Sequence, residues 1–341
     1  MIRRALLSLV VALVVAGATT PGSAGAATDR PPSTSDPALT GTVRLMAVGD
    51  VVLAQSIGQR IIRDGPYSPW RNVSAILDQA DLVIANLECP ISSRGTSWPG
   101  KKFTLRARPA SADALVAGGI DIVNLANNHT LDYGFTAFGD TLTALDARGV
   151  AHVGGGLDAA AATAPVIVER NGLRIGFLGY ALYFAPGTKA AWMAGPGKPG
   201  IGAATPAIVS HDVTALKAQV DVVVVSFHGG RTNGTAPDRE VRELTRAATA
   251  AGAALVIGHH PHVLQGYSRE GSTLVAYSLG NFAFAYMSGV QNDSAVLDVT
   301  LSAAGVDSFS WIPIVIEHAL PRPARGAEID RIVARLRPIK P

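Results

Sequence analysis

The sequence predicts a layered α/β sandwich built on two sheets, and three features of its 341 residues carry that expectation. Five runs, "VRLMAVG", "DLVIANL", "IDIVNLA", "VDVVVVSF" and "AALVIGH", are apolar at almost every position, as in strands buried on both faces. Helix-like patterns separate them. The second half adds "APVIVER", "RIGFLGYAL", "STLVAYSLGN", "SAVLDVTL" and "FSWIPIVI", and the first two of these flank Asn171-Gly172, a hairpin turn signal. So many strands fit two sheets better than one doubly wound sheet. No internal repeat of fixed period appears.

The elements follow in order. Residues 1–26 carry Arg3 and Arg4, an apolar run from Ala5 to Ala16 and an Ala24-Gly25-Ala26 cleavage pattern, which is the layout of an export signal. The apolar run is shorter than the roughly 20 residues a spanning helix needs. Residues 27–42, rich in Pro, Ser and Thr, are expected to form a flexible linker. One domain is expected over 43–320, with helices over 70–79, 111–117, 135–148, 206–218 and 237–250, the last with Pro237 at an early helical position. Between Tyr183 and Gly202 lies a long Gly/Pro-rich stretch that is either a functional loop or a surface excursion. Residues 321–341 are expected to form a C-terminal amphipathic helix and tail that packs on the domain.

Composition excludes several classes. With 48% hydrophobic and 16% charged residues the chain has the makeup of a folded domain, not of a disordered one. The net charge of +3 falls to about +1 without Arg3 and Arg4, and no dense Lys/Arg stripe with interleaved aromatics appears, so nucleic acid is not an expected partner. Cys89 is the only cysteine, so an exported chain has no internal disulfide and rests on its core; the expected role of Cys89 is a small buried apolar residue.

The chemistry gathers where the apolar runs end. They deliver Asp50; Asn86 and Glu88; Asn124, Asn127, Asn128 and His129; His228; and His259, His260 and His262, with Asn281 after a later run. In open α/β sheets ligands collect at the carboxyl ends of strands. Two carboxylates, carboxamides and several imidazoles without a thiolate suit Mn, Zn, Fe or Mg, and are enough to hold two divalent metal ions. Singly, Asp50 could be a helix N-cap, Asn127 and Asn128 turn residues, and His228 a hydrogen-bonded structural histidine. Three neighbouring imidazoles are costly to bury without partners. If Pro261 keeps the backbone extended, His260 and His262 point one way and His259 the other, which leaves His259 a supporting role. His152, His211 and His318 lie away from the strand ends.

In this order the segments "AVGDVVL", "DLVIANLECPIS", "KKFTLRARP", "DIVNLANNHTLDYG", "VVVSFHGG", "VIGHHPHVLQG" and "VAYSLGNFAF" resemble the CapA family of poly-γ-glutamate capsule synthesis proteins, within the calcineurin-like metallophosphoesterase superfamily. The resemblance spans residues 43 to about 300. It implies a four-layer αββα sandwich with a two-metal centre. By position, Asp50 resembles the first-motif ligand and Glu88 the bridging carboxylate. Asn128 and His129 resemble the Asn-His pair, in which Asn binds metal and His contacts phosphate or protonates the leaving group; His228, His260 and His262 resemble the imidazole ligands. Three departures stand out: Val52 occupies the position of the usual first-motif histidine, the bridging acid is Glu rather than Asp, and "HGGRTN" lacks the aromatic and acidic residues expected after the histidine.

Three readings follow. The first is an exported metal-dependent hydrolase acting on a phosphoester or related bond of a cell-envelope polymer, with Arg106 as an anion clamp and a membrane-bound capsule synthesis machinery as partner. The second is a non-catalytic protein that uses the same centre to bind or help export an anionic polymer such as poly-γ-glutamate. The third makes the polar strand ends ordinary loops, which requires seven ordered motifs to coincide.

Overall fold

A computed structural model describes residues 41–285 and 287–340. The expected export signal and linker residues 27–40 lie outside the described residues; Thr42 is held by Asn171, whose side-chain amide donates to its carbonyl at 3.1 Å.

The first sheet contains β1 (Val43–Val51), β2 (Leu82–Leu87), β3 (Ile122–Asn124) and β4 (Ala151–Val153), all parallel. A small ribbon, β5 (Gly155–Gly156) with β8 (Gly200–Ile201), lies apart from both main sheets. The second sheet contains β6 (Val166–Arg170), β7 (Leu173–Ala181), β9 (Val222–His228), β10 (Leu255–His259), β11 (Tyr267–Glu270) and β12 (Thr273–Ala276). The chain then returns to the first sheet with the antiparallel strands β13 (Asp293–Ser302), β14 (Gly305–Glu317) and β15 (Leu320–Pro323). The first sheet runs β15-β14-β13-β1-β2-β3-β4 and the second β11-β12-β10-β9-β7-β6.

The helices are α1 (Gln55–Asp64), α2 (Ser74–Leu77), α3 (Ala112–Ala117), α4 (Gly134–Asp146), α5 (Ala159–Thr163), α6 (Lys189–Trp192), α7 (Pro206–Lys217), α8 (Arg239–Ala250) and α9 (Ala327–Val333). Strand alternation sorts the layers. Val43, Leu45 and Ala47 of β1 face Val222 and Val224 of β9 between the two sheets. Met46 and Val48 instead join Ile57, Leu115 and Phe138 from the helices on the outer face of the first sheet, while Val223 and Val225 meet Val209 and Leu244 of α7 and α8. The result is the four-layer αββα sandwich. Each fully buried Val or Leu contributes about 1.5–3 kcal/mol, so strands apolar on both faces are what this layering requires.

The hairpin at Asn171-Gly172 forms between β6 and β7, with both residues at positive φ (51° and 80°). The expected helix over 70–79 shortens to α2, because 70–73 form turns that bury Trp70 under the first sheet. Pro237 stands before α8 rather than inside it: Asp238 is the N-cap and accepts from the Val241 amide. Asp50 is no cap either, since it lies in β1 and α1 begins five residues later. The 183–202 stretch carries α6 and β8 and buries Trp192 completely. α9 packs on β13 and β14, burying Ile332. Cys89 is buried, and burial pushes its thiol up to about 12.

Candidate metal centre

The parallel strands of both sheets end together, and the polar residues after them converge. β1 pairs regularly with β2 through Ala47, then shifts register before Asp50; the extra residue re-aims the strand end. Gly49 permits this, since a Cβ there would lie 2.1 Å from the Gly280 carbonyl oxygen. Asp50 and Asn281 are thereby neighbours across a parallel bridge, tied by hydrogen bonds from the Asp50 amide to the Gly280 carbonyl and from the Phe282 amide to the Asp50 carbonyl.

Asp50, Glu88 and His228 have no solvent exposure, and Asn128 and His260 are also buried. Asn86 binds the group from below: its amide nitrogen lies 2.9 Å from Asp50 Oδ1 and 3.1 Å from His228 Nδ1. His228 therefore directs Nε2 toward Asn128 Oδ1 at 2.6 Å, His260 Nδ1 at 3.1 Å and Glu88 Oε1 at 3.6 Å. His262 Nδ1 lies 3.2 Å from Asp50 Oδ2 and 2.9 Å from Asn281 Oδ1, while its Nε2 lies 3.9 Å from Glu88 Oε1. Two ligand groups result, Glu88 with His228 and His260, and Asp50 with Glu88 and His262; in each the donor atoms lie within 4.8 Å of one another. Glu88 belongs to both.

The donors fit divalent cations. Both carboxylate oxygens of Glu88 and Oδ2 of Asp50 are buried without a hydrogen-bond partner among the described residues, an expensive arrangement unless a cation or a proton answers it. Burial and the neighbouring Asp50 charge raise the Glu88 carboxyl well above its usual range. Burial also pushes Asp50 up, but the neighbouring imidazoles of His259 and His262, 3.5 and 3.2 Å from its oxygens, outweigh it and hold the carboxyl well below normal. His228 is lowered well below the usual imidazole value and His260 falls to about 3, first through burial and then through neighbouring imidazoles. His262 goes the other way, to about 9, because Glu88 and Asp50 overcome the effect of burial.

The extended backbone expected through His260-Pro261-His262 is not found. His260 and His262 have φ of 99° and 58°, so a turn at the end of β10 brings the rings in, rather than strand alternation. The two still face one cluster, with ring centroids 5.8 Å apart. His259, on the strand itself, reaches Asp50 Oδ1 at 3.5 Å from outside both ligand groups.

His129 lies at the edge of the cluster. Its Nδ1 is 2.6 Å from Asp132 Oδ2 and its Nε2 is 3.9 Å from Glu88 Oε1. Burial lowers its pKa against the opposing pull of Asp132. Asn127 shapes this turn, accepting from the His129 amide at 3.0 Å and donating to Asn86 and to the Leu87 carbonyl.

Arg106 is not brought to the cluster. Its Nη1 donates to the carbonyls of Arg94 and Gly95, and its guanidinium lies 4.0 Å from the centre of the Tyr133 ring. The cation beside His129 is Lys101, which forms a buried ion pair with Asp132 and approaches His129 Nδ1 at 3.0 Å. Lys101 stands in the same "KKFTLRARP" segment as Arg106, but the sequence offers no sign of which cation turns inward. Two more contributors escape a reading by motif: Tyr183, stacked on His260 at 4.1 Å, and Thr232, whose hydroxyl is 3.2 Å from His260 Nε2. His152 pairs with Asp146, and exposed His211 with Asp212, both outside the cluster.

Comparison with known proteins agrees with the motif order. Residues 44–286 match the family model "Bacterial capsule synthesis protein PGA_cap". The chain is 30% identical over 280 residues to the PGA biosynthesis protein CapA of Bacillus subtilis, covering 82% of this chain and 73% of that one. It is 29% identical over 287 residues to the capsule biosynthesis protein CapA of Bacillus anthracis, covering 82% and 69%. Among solved structures it is similar to the calcineurin-like phosphoesterase YfkN from Bacillus subtilis at TM-score 0.43 and 14% identity, covering 86% of this chain and 96% of that one. The chain belongs to the bacterial capsule synthesis protein family PGA_cap.

Proposed function

We propose that this PGA_cap family member is an exported, metal-dependent phosphoesterase-type hydrolase serving the synthesis of a poly-γ-glutamate capsule or another cell-envelope polymer. The observation that carries the reading is Glu88: a fully buried carboxylate with both oxygens unpartnered among the described residues, shared by two ligand groups. Glu88, His228, His260 and Asn128 would hold one divalent ion, and Asp50, Glu88 and His262 the other. Such ions supply Lewis acidity toward a phosphoryl oxygen and lower the pKa of water. The chain's own work is placement. Asp132 fixes the His129 ring through Nδ1 and leaves Nε2 on the side facing Glu88, where it would act as base toward a proton and, once it has taken that proton up, as acid toward a leaving group. The Lys101 ion pair keeps Asp132 anchored. Two features support export: the arginine-led apolar run at the N-terminus and the capsule role named for the relatives.

The test is metal content by elemental analysis, paired with turnover of a phosphodiester and a phosphomonoester after addition of Mn or Zn. About two ions per chain and metal-dependent turnover are expected. Normal metal content in a folded His260→Ala variant would overturn the ligand assignment.

A second reading has one observation in its favour. Val52, at the position of the usual first-motif histidine, is fully buried in the apolar cluster under the helices. The Asp50 side thus has one imidazole fewer than the superfamily pattern, which suits a centre that binds an anionic polymer without cleaving it. Metal uptake with polymer binding and no turnover is its signature.

A further inference from the structure

Between Glu88 and Asp113 the chain has five cations, Arg94, Lys101, Lys102, Arg106 and Arg108, and no acid. Two are spent on carboxylates, Arg94 on Asp140 and Lys101 on Asp132. Among the described residues Arg106 uses only Nη1, for two backbone carbonyls, while stacking on Tyr133 fixes the plane of its guanidinium. Exposed Arg108 has no side-chain partner among the described residues.

Both arginines line a groove of about 370 Å³ whose opposite wall is α1, through Gln55, Gln59 and Arg63. These lie on one side of the helix at the spacing of a single ridge. The wall from Ala54 to Arg63 is about 14 Å long at 1.5 Å per residue. Arg63 pairs with Asp64, but that carboxylate also feels Arg60 and Arg71, so three guanidiniums surround one acid and the helix side stays positive. Leu53 is also in the lining; it stands three residues beyond Asp50, and its amide donates to the Sγ of Cys89, the neighbour of Glu88 in sequence.

We propose that this groove is a second binding site, distinct from the metal centre, for a linear polyanion, and that it leads the chain toward the centre. A fixed guanidinium plane whose other N–H donors have no partner among the described residues, across the groove from amide side chains spaced along a helix, matches oxyanions repeated along a chain. The other large cavity, about 530 Å³ beside α4, lacks this character because Arg94 and His152 there face Asp140 and Asp146. The groove's affinity for anions stands without the hydrolase reading; only the leading role rests on it.

Binding of fluorescently labelled poly-γ-glutamate and polyphosphate oligomers to the metal-loaded protein, followed by anisotropy at several salt concentrations, tests the proposal. Two arms separate carboxylate from phosphate as the source of charge. The triple variant Arg63→Gln/Arg106→Gln/Arg108→Gln should bind the preferred oligomer about tenfold or more weakly and with a shallower salt slope, while its metal content stays at the wild-type level. Arg239→Gln, an exposed arginine on α8, should bind as wild type does. Wild-type affinity in the triple variant, an equal loss in Arg239→Gln, or no binding of either oligomer by the wild type would each overturn the groove. Loss of turnover in His260→Ala with oligomer binding kept separates failure of the centre from failure of the groove.

Discussion

The ligand group of Glu88, His228 and His260 differs in charge from that of Asp50, Glu88 and His262, although they share a carboxylate. The first is rich in neutral nitrogen: burial holds both imidazoles far below their usual pKa, and Asn128 adds an uncharged oxygen beside His228. The second pairs an ionised Asp50 with a His262 whose pKa is raised to about 9, so acid and imidazole answer one another. The support differs too. His260 is braced by Tyr183 and Thr232, whereas His262 is braced by Asn281. The two ligand groups are therefore lopsided in charge, although the carboxylate of Glu88 belongs to both.

Breaking the shared element should have the largest effect. Glu88→Gln is expected to abolish uptake at both positions, lowering affinity by more than about 100-fold, since loss of a mere supporting partner already costs 10- to 100-fold. The same variant removes a buried orphan carboxylate, so the metal-free protein should melt no lower than wild type. Elemental analysis and a melting curve read the two effects separately, and a lower melting temperature in the metal-free variant would deny that Glu88 is kept for binding at the expense of stability.

Breaking one side at a time sharpens the contrast. His260→Ala and Asp50→Asn should each leave about one ion per chain, and the ion kept by Asp50→Asn should be the more tightly held because its nitrogen-rich donors are intact. Equal affinities from a metal titration of the two variants would erase the asymmetry. The smallest effect is expected from Thr232→Val, which removes the hydroxyl from His260 Nε2 at nearly constant volume. Affinity should fall about tenfold on the His260 side only, and no change would show that Tyr183 stacking alone suffices.

The strands and most of the polar residues that cluster were legible because burial on both faces leaves a continuous apolar run and each run stops at a polar residue. Val222 to Phe227 followed by His228 is the clearest case, and all seven residues of that strand are buried. The turn through His260 and His262 was not legible, since nothing in His-Pro-His announces two residues at positive φ; packing against Asp50, Asn281 and His228 imposes it. The same holds for the choice of Lys101 over Arg106 beside His129. Both cations stand in one short segment, and the pairing of Lys101 with buried Asp132 and the stacking of Arg106 on Tyr133 send one inward and the other to the groove.

By itself the sequence determined the class of fold, the strand ends that bear the chemistry and the donor types gathered there, because local apolar periodicity and residue identity are properties of the chain alone. Tertiary structure decided which donors converge in one ligand group, which histidine stands outside both groups and which cations pair with carboxylates among the described residues. Those are distances between strands of two different sheets, and they exist only once the layers have packed.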